Sequence, residues 1–294
     1  MRVAFLVNAH ANFLHLQRLL AVLLDFQAID ASIFVHIDAK ASQAFSYSHE
    51  KVHVSERRLP VYWGGMSQVR ATLLLLEQAF EVGGFEYFCF ITGQDYPVRS
   101  GGFLAECLSR QKNFINLVAM PARTKPIRRL TSYWLEHDRR KPSLAKLGCR
   151  SLEVLLETMR LQKKIPFFPY AGSQHFFLRK DCVQYILSFC ANNQSFLDFH
   201  KTALCPDESF FQTIIGNSPF AGSVEPSLVY ANWASQKSNF RFDSYDLDLL
   251  RARKTLSSSL YGDFSPCFAR KFFDSDVEII ERVRNDLLGL PAIS

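Results

Sequence analysis

Three consecutive stretches decide the fold: Arg2-Val3-Ala4-Phe5-Leu6-Val7, then Phe13 through Phe26 (FLHLQRLLAVLLDF), then Ser32-Ile33-Phe34-Val35-His36-Ile37 ending at Asp38. The first is a short unbroken apolar run with β-branched members, the pattern of a strand buried on both faces. The second places Phe13, Leu16, Leu19, Leu20 and Leu23 at helical spacing. The third is another buried strand, stopped by a carboxylate. Strand, helix and strand within about forty residues predict a βαβ unit and a parallel sheet.

Working outward, residues 52–54 read as a short third strand and residues 66–81 as a second amphipathic helix. Residues 86–92 (EYFCFIT) form another buried strand, broken by Gly93-Gln94-Asp95-Tyr96-Pro97. The expected class is therefore α/β, with a Rossmann-like N-terminal half. Ligands of such sheets gather outside the carboxyl ends of the strands, and Asp38 and Asp95 both stand at such ends. Beyond residue 100 the patterns predict a strand over 175–178 and helices over 152–162, 180–191 and 276–288. A further helix is expected to start after Pro206, with Asp207 and Glu208 in its first turn. With no repeat or linker in view, a single domain over 1–294 is expected, 1–100 forming its nucleotide-binding half and 101–294 its acceptor and catalytic half.

Of the 294 residues 48% are hydrophobic and 27 are Phe, ample material for a core. The net charge of +6 suits an anionic substrate or membrane surface. No nucleic-acid-binding module accompanies it, so no nucleic-acid partner is expected. Arg123, Lys125, Arg128, Arg129, Arg139, Arg140 and Lys141 crowd into 121–145 against Glu136 and Asp138. That segment reads either as a solvated face or as a contact for an anionic acceptor or lipid headgroups. The seven Cys form no C-x-x-C and read as free, buried thiols of a reducing compartment. The apolar stretch Leu14–Phe26 is interrupted by Gln17, Arg18 and Asp25, and does not read as a span. A cytoplasmic protein is expected, with peripheral contact to the inner face of a membrane left open.

Three local patterns carry chemistry. Val61-Tyr62-Trp63-Gly64-Gly65 precedes a helix, and reads either as a backbone approach to a ligand with a stacking aromatic or as a packed turn. In Cys205-Pro206-Asp207-Glu208-Ser209-Phe210-Phe211-Gln212-Thr213, the acids of a helix start read either as a carboxylate fixed to point into a cleft or as plain capping, which would explain Asp207 but does not need Glu208. In Cys267-Phe268-Ala269-Arg270-Lys271-Phe272, two cations sit inside an aromatic run, either meeting a diphosphate or snorkelling at the surface.

Together with Val35-His36-Ile37-Asp38, Thr92-Gly93-Gln94-Asp95-Tyr96-Pro97 and Gly172-Ser173-Gln174-His175-Phe176, these patterns in this order resemble the core-2/I-branching β-1,6-N-acetylglucosaminyltransferase family, glycosyltransferase family 14, which includes protein xylosyltransferases. The resemblance implies a GT-A-type glycosyltransferase fold with a mixed central sheet. It implies a UDP-sugar donor, inversion at the anomeric carbon and no metal or other cofactor. Glu208 matches the catalytic base and Lys271 the diphosphate-binding lysine. An upstream arginine partners that lysine in the family; Arg251, Arg253 and Arg241 are the candidates here, with Arg270 a fourth. Asp38 and Tyr62 match positions near the donor nucleotide, Asp95 follows at the next strand end, and Ser173 and Trp233 match the sugar or acceptor pocket. The expected donor sugar is N-acetylglucosamine, with xylose second. The expected acceptor is a glycan or lipid-linked glycan of surface or exported polysaccharide, in a bacterial-type member. A carbohydrate-binding module without catalysis is the alternative. Asp246-Leu247-Asp248 and Asp274-Ser275-Asp276 match the metal-binding Asp-x-Asp pattern, but read as helix-start or surface acids.

Overall fold

The computed structural model describes residues 1–139, 141–232 and 241–290. Its first part runs β1 (Arg2–Ala9), α1 (Phe13–Leu24), β2 (Asp30–Ile37), β3 (Val52–Val54), α2 (Met66–Val82), β4 (Tyr87–Thr92), β5 (Asp95–Pro97) and α3 (Gly101–Ser109). There follow β6 (Asn113–Ile115), β7 (Val118–Ala119), α4 (Arg128–Thr131), α5 (Leu144–Thr158), β8 (Tyr170–Ala171), β9 (Phe176–Arg179), α6 (Lys180–Asn192), α7 (Gln194–His200) and α8 (Phe210–Gly216). The chain continues through β10 (Val224–Glu225), β11 (Val229–Ala231), α9 (Ser244–Ala252), β12 (Leu256–Ser258), β13 (Gly262–Phe264), β14 (Phe268–Arg270) and α10 (Val277–Val283).

A seven-stranded sheet in the order β10-β6-β9-β4-β1-β2-β3 forms the centre. Strands β1 to β4 are mutually parallel where they pair, as the βαβ reading predicts. Side chains of β1 alternate between two cores. Val3, Phe5 and Val7 pack in the cluster that contains Leu16, Leu19, Leu20 and Leu23 of α1. Ala4 and Leu6 pack in the opposite cluster, with Met66, Val69 and Leu76 of α2. Burial on both faces is why β1 reads as a continuous apolar run.

Strand β9 enters antiparallel between β4 and β6 and makes the sheet mixed. Its register, Phe90 opposite Phe176, brings His175 beside the carboxyl end of β4. A smaller sheet, β11-β14-β5, stands beyond that end and sets Arg270 opposite Asp95. The architecture is that of a GT-A-like α/β fold.

Two expected elements differ in extent or type. The helix expected over 152–162 spans Leu144–Thr158, capped by the Ser143 hydroxyl, which accepts from Lys146 N. Its first turns carry their leucines outward, so no core-facing stripe marked them. The segment after Pro206 is a 3₁₀ turn, Pro206–Glu208, separated by Ser209 from α8. The last helix keeps its expected span, α at Val277–Val283 and π over Arg284–Leu288. Among the described residues no helix is long and apolar enough to cross a membrane.

Candidate functional site

The turn that carries Glu208 is clamped from two sides. Cys205 adopts the left-handed conformation, φ 50°, and Pro206 then starts the 3₁₀ turn. Cys205 N donates to Gly64 O at 2.9 Å, and Gly172 N donates to Glu208 O at 2.8 Å. Gly172 lies so close to Asn116 that a Cβ would stand 1.8 Å from its carbonyl oxygen. Ser173 follows, its hydroxyl accepting from Asn116 Nδ2 at 3.2 Å and its carbonyl from Gln212 Nε2 at 2.6 Å. Glu208 and Ser173, 35 residues apart in sequence, therefore share one wall.

Two cations reach Glu208 from the basic middle segment. Lys125 Nζ donates to Oε2 at 2.6 Å, and Arg129 Nη1 donates to the same oxygen. Lys125 is 8% exposed, held at a tight turn by its backbone pairing with Ala122, and Arg129 projects from α4. Those two side chains are not part of a solvated face. Burial pushes the Glu208 carboxyl up, but Lys125 and then Arg129 outweigh it and hold the group below the usual carboxylate range. The Glu208 carboxyl is thus ionised wherever an ordinary carboxylate is. Replacing Lys125 by Met removes one of the two opposing charges, so the acid limb of the activity profile should move to higher pH. A kcat/KM profile across the acid range checks this; an unmoved limb would mean that Glu208 and its ion pair do not set it.

Asp207 behaves oppositely. Its Oδ1 is buried without a side-chain partner and its Oδ2 receives a long contact, 3.4 Å, from Gln68 Nε2. Burial, then the Glu208 charge, push its carboxyl up to about 7. The unfolded chain releases this proton near the ordinary 3.8, so folding loses stability as pH rises from there to about 7. Asp207→Asn has no proton to lose. Its melting temperature relative to the parent should therefore climb between pH 5 and pH 8, by the equivalent of up to a few kcal/mol. A constant difference would overturn the assignment.

Beside this wall stands a second charged cluster. Asp95 is fully buried and accepts from Thr92 N at 2.6 Å. Its Oδ2 lies 3.1 Å from His175 Nε2, and its Oδ1 lies 3.6 Å from Arg270 Nε. Arg270 Nη1 also lies 3.1 Å from His175 Nε2. A carboxylate cannot donate, so Nε2 carries its proton when it serves Asp95, and Arg270 is then held by charge. Burial pushes the Asp95 carboxyl up, but His175 and Arg270 more than reverse this and leave it lowered. Burial also depresses the His175 imidazole. The surface-pair reading of Arg270 and Lys271 is thus corrected for Arg270, which is interior because β14 pairs with β5.

At the end of β2, Asp38 is 6% exposed and organises its own loop. Its Oδ1 accepts from Lys40 N at 2.8 Å and Val61 N at 3.2 Å. Lys40 Nζ then lies 4.2 Å from the centre of the Tyr62 ring, so Asp38 and Tyr62 form one unit. The Gly64-Gly65 turn is a packed one: a Cβ on Gly65 would stand 2.2 Å from Glu136 Oε1, and that oxygen accepts from Ser67 N at 2.7 Å. The amino end of α2 is capped by a carboxylate of the same chain, which agrees with the packed-turn alternative. Gly64 itself is required by its φ of 74°.

The remaining candidates are dispersed. Arg251 lies 3.5 Å from Asp286 and 3.9 Å from Asp248, on the outer side of α9. Arg253 is exposed at the end of α9, where its carbonyl accepts from Arg99. Arg241 pairs with Asp276. Lys271 continues β14 directly after Arg270, and its carbonyl accepts from Phe242 N at 3.0 Å. Trp233 lies outside the described residues. Of the Asp-x-Asp acids, Asp246 is not a surface acid: it is 2% exposed, completes the capping box of α9 and accepts from Tyr230 and Asn232. Asp274 accepts from His15 N.

Lys125, Arg129 and His175 contact the candidate residues Glu208 and Asp95, and sequence reasoning gives none of them a role. The signal for the first two was the basic run itself, and for His175 its place in a quoted motif.

A protein-family model described as Core-2/I-Branching enzyme matches residues 3–252. Xylosyltransferase 2 of Mus musculus is 27% identical over 252 residues, covering 79% of this chain and 26% of the relative. Xylosyltransferase 1 of Rattus norvegicus is 27% identical over 252 residues, with 79% and 28% covered. For xylosyltransferase 1 of Homo sapiens the values are 27%, 79% and 24%. The chain spans about a quarter of the length of these relatives.

Proposed function

This chain belongs to the core-2/I-branching enzyme family, and on that premise we propose that it is an inverting glycosyltransferase that moves a sugar from a UDP-sugar to a hydroxyl of a glycan or lipid-linked glycan. The observation that carries the reading is the Glu208 carboxylate, held ionised by Lys125 and Arg129 on the wall shared with Ser173.

In this reading, residues 1–100 hold the donor and residues 101–294 supply the acceptor and catalytic groups. Asp38 sets the loop that presents Tyr62 to the nucleotide. Glu208 takes the proton of the acceptor hydroxyl as its oxygen attacks the anomeric carbon. The bond to the diphosphate breaks on the opposite face in the same displacement, and this inverts the centre. Positive charge on Lys271 stabilises the departing UDP without a metal, and Arg270, gripped by Asp95 and His175, fixes the strand that bears it. The enzyme is proposed to act in the cytoplasm, in peripheral contact with a membrane, in surface or exported polysaccharide synthesis.

The sugar is the finer question. N-acetylglucosamine follows from the resemblance to the branching enzymes, and xylose is the sugar in the names of the relatives. UDP release from UDP-xylose and from UDP-N-acetylglucosamine, each with EDTA present, tests the reading. Turnover of one donor in EDTA would support it and name the sugar. Turnover that requires an added divalent cation would overturn the metal-free mechanism. Failure of both donors to bind in calorimetry would overturn the function.

A further inference from the structure

Helix α5 is built inside out. Its charged residues, Lys146, Arg150, Glu153 and Glu157, lie on one half of the helix, which meets the protein through Glu153 and Lys146, with Arg150 and Glu157 half-exposed at its edge. Glu153 is the one buried residue of the helix; it accepts from Leu135 N at 2.9 Å and pairs with Arg139 at 2.7 Å and Arg150 at 2.9 Å. Lys146 donates to Arg139 O at 2.8 Å, and Glu157 pairs with Arg128 at 2.7 Å. The opposite half carries Leu144, Leu147, Leu152, Val154 and Leu155 and no charge. All five are exposed, Leu144 at 89% and Leu147 at 66%. Met159, Leu161 and Phe168, which follow the helix in the chain, are exposed as well. A surface helix of a globular protein ordinarily turns these two halves the other way, and a contiguous exposed apolar face marks a contact.

The charge around this face identifies what it meets. Residues 121–164 hold twelve of the 34 Lys and Arg against four of the 28 Asp and Glu. The segment is net +8 and the rest of the chain net −2; Lys125 and Arg129 turn inward to Glu208 and Arg139 to Glu153, while Arg123, Arg128, Lys141, Arg150, Arg160 and Lys164 are exposed. An apolar strip within a cationic surround is the composition of a helix that lies in the interface of an anionic bilayer. Nucleic acid would leave the leucines in water. A second copy on a twofold axis would set two such basic segments against each other.

We propose that α5, with the chain onward to Phe168, is a docking face for an anionic lipid surface. Its place in the fold gives the contact a use. Arg128 holds α5 through Glu157, and its neighbour Arg129 holds Glu208, so docking sets the wall of the base next to the membrane, where a lipid-linked acceptor would be met. Only that use rests on the proposed function; the contact itself does not.

Co-sedimentation of the full chain with vesicles of phosphatidylcholine alone, and of phosphatidylcholine with about one third phosphatidylglycerol, tests the proposal. Binding to the anionic vesicles, weakened by salt, is expected. The double variant Leu147→Glu, Leu155→Glu should lose about 100-fold or more of that binding, with the melting temperature and the turnover of soluble substrates kept. Leu155→Trp supplies a second readout, its emission moving to shorter wavelength on anionic vesicles. Absence of binding at low salt, equal binding by the double variant, or an unmoved tryptophan emission would overturn the proposal. So would a dimer that the double variant dissociates, because the face would then belong to a second copy. Vesicle binding without turnover on any donor would overturn the proposed function and leave the docking face standing.

Discussion

Glu208→Gln should lower the rate of sugar transfer by about 10²- to 10⁴-fold, the range of a positioned general base, while the affinity for UDP stays within about threefold. The amide preserves the shape of the side chain and still accepts from Lys125, but it cannot take the proton of the acceptor hydroxyl. Loss of charge beside Lys125, which is 8% exposed, will also cost some stability. The fall in rate is therefore to be read together with a melting curve and with UDP calorimetry. A low rate with intact UDP binding and a cooperative melt assigns the base. A variant that transfers sugar within about threefold of the parent would remove Glu208 from the chemistry.

Asp95→Ala should be the most destabilising change at the site. The carboxylate is fully buried, and its removal strips Thr92 N of its acceptor and leaves the Arg270 guanidinium, 12% exposed, without its counter-charge. Breaking a buried pair from one side costs about 3–5 kcal/mol, a fall in melting temperature on the order of 10 °C for a domain of this size. The sign with pH follows from the lowered Asp95 carboxyl. Its contribution is fully present above the ordinary carboxylate range and fades as pH falls through the folded-state value, so parent and variant should converge in acid. Asp95→Asn should lie between them, since it keeps a hydrogen-bond acceptor but not the charge. A gap below about 1 kcal/mol at neutral pH would show that the cluster is solvated and not a buried support for β14.

Much of the frame was legible because it is written in local periodicity. β1, α1, β2, β3, α2 and β4 follow from apolar runs and helical spacing, and the placement of Asp38 and Asp95 at strand ends follows from where those runs stop. Elements with no core-facing period were not legible. The first turns of α5 were missed because their leucines face outward, and the 3₁₀ turn at Pro206–Glu208 was read as a helix because first-turn acids mark both. The reading of 121–145 as a basic surface segment holds in part, for the same run of cations supplies exposed charge, as at Arg123 and Arg128, and the two partners of Glu208, buried Lys125 and half-buried Arg129.

By itself the sequence determined the α/β class, the parallel βαβ start, the family motifs and the choice of Glu208 as the residue to test. Each depends on neighbours within a few turns or on an ordered set of short motifs. Only the tertiary structure decided which charges meet. Lys125 and Arg129 find Glu208 across 83 and 79 residues, and Asp95 finds His175 across 80. Such pairs are set by the entry of β9 beside β4 and by the docking of α4 against the Cys205 turn. Electrostatic partnership depends on distance in space, and no local pattern in a chain records it.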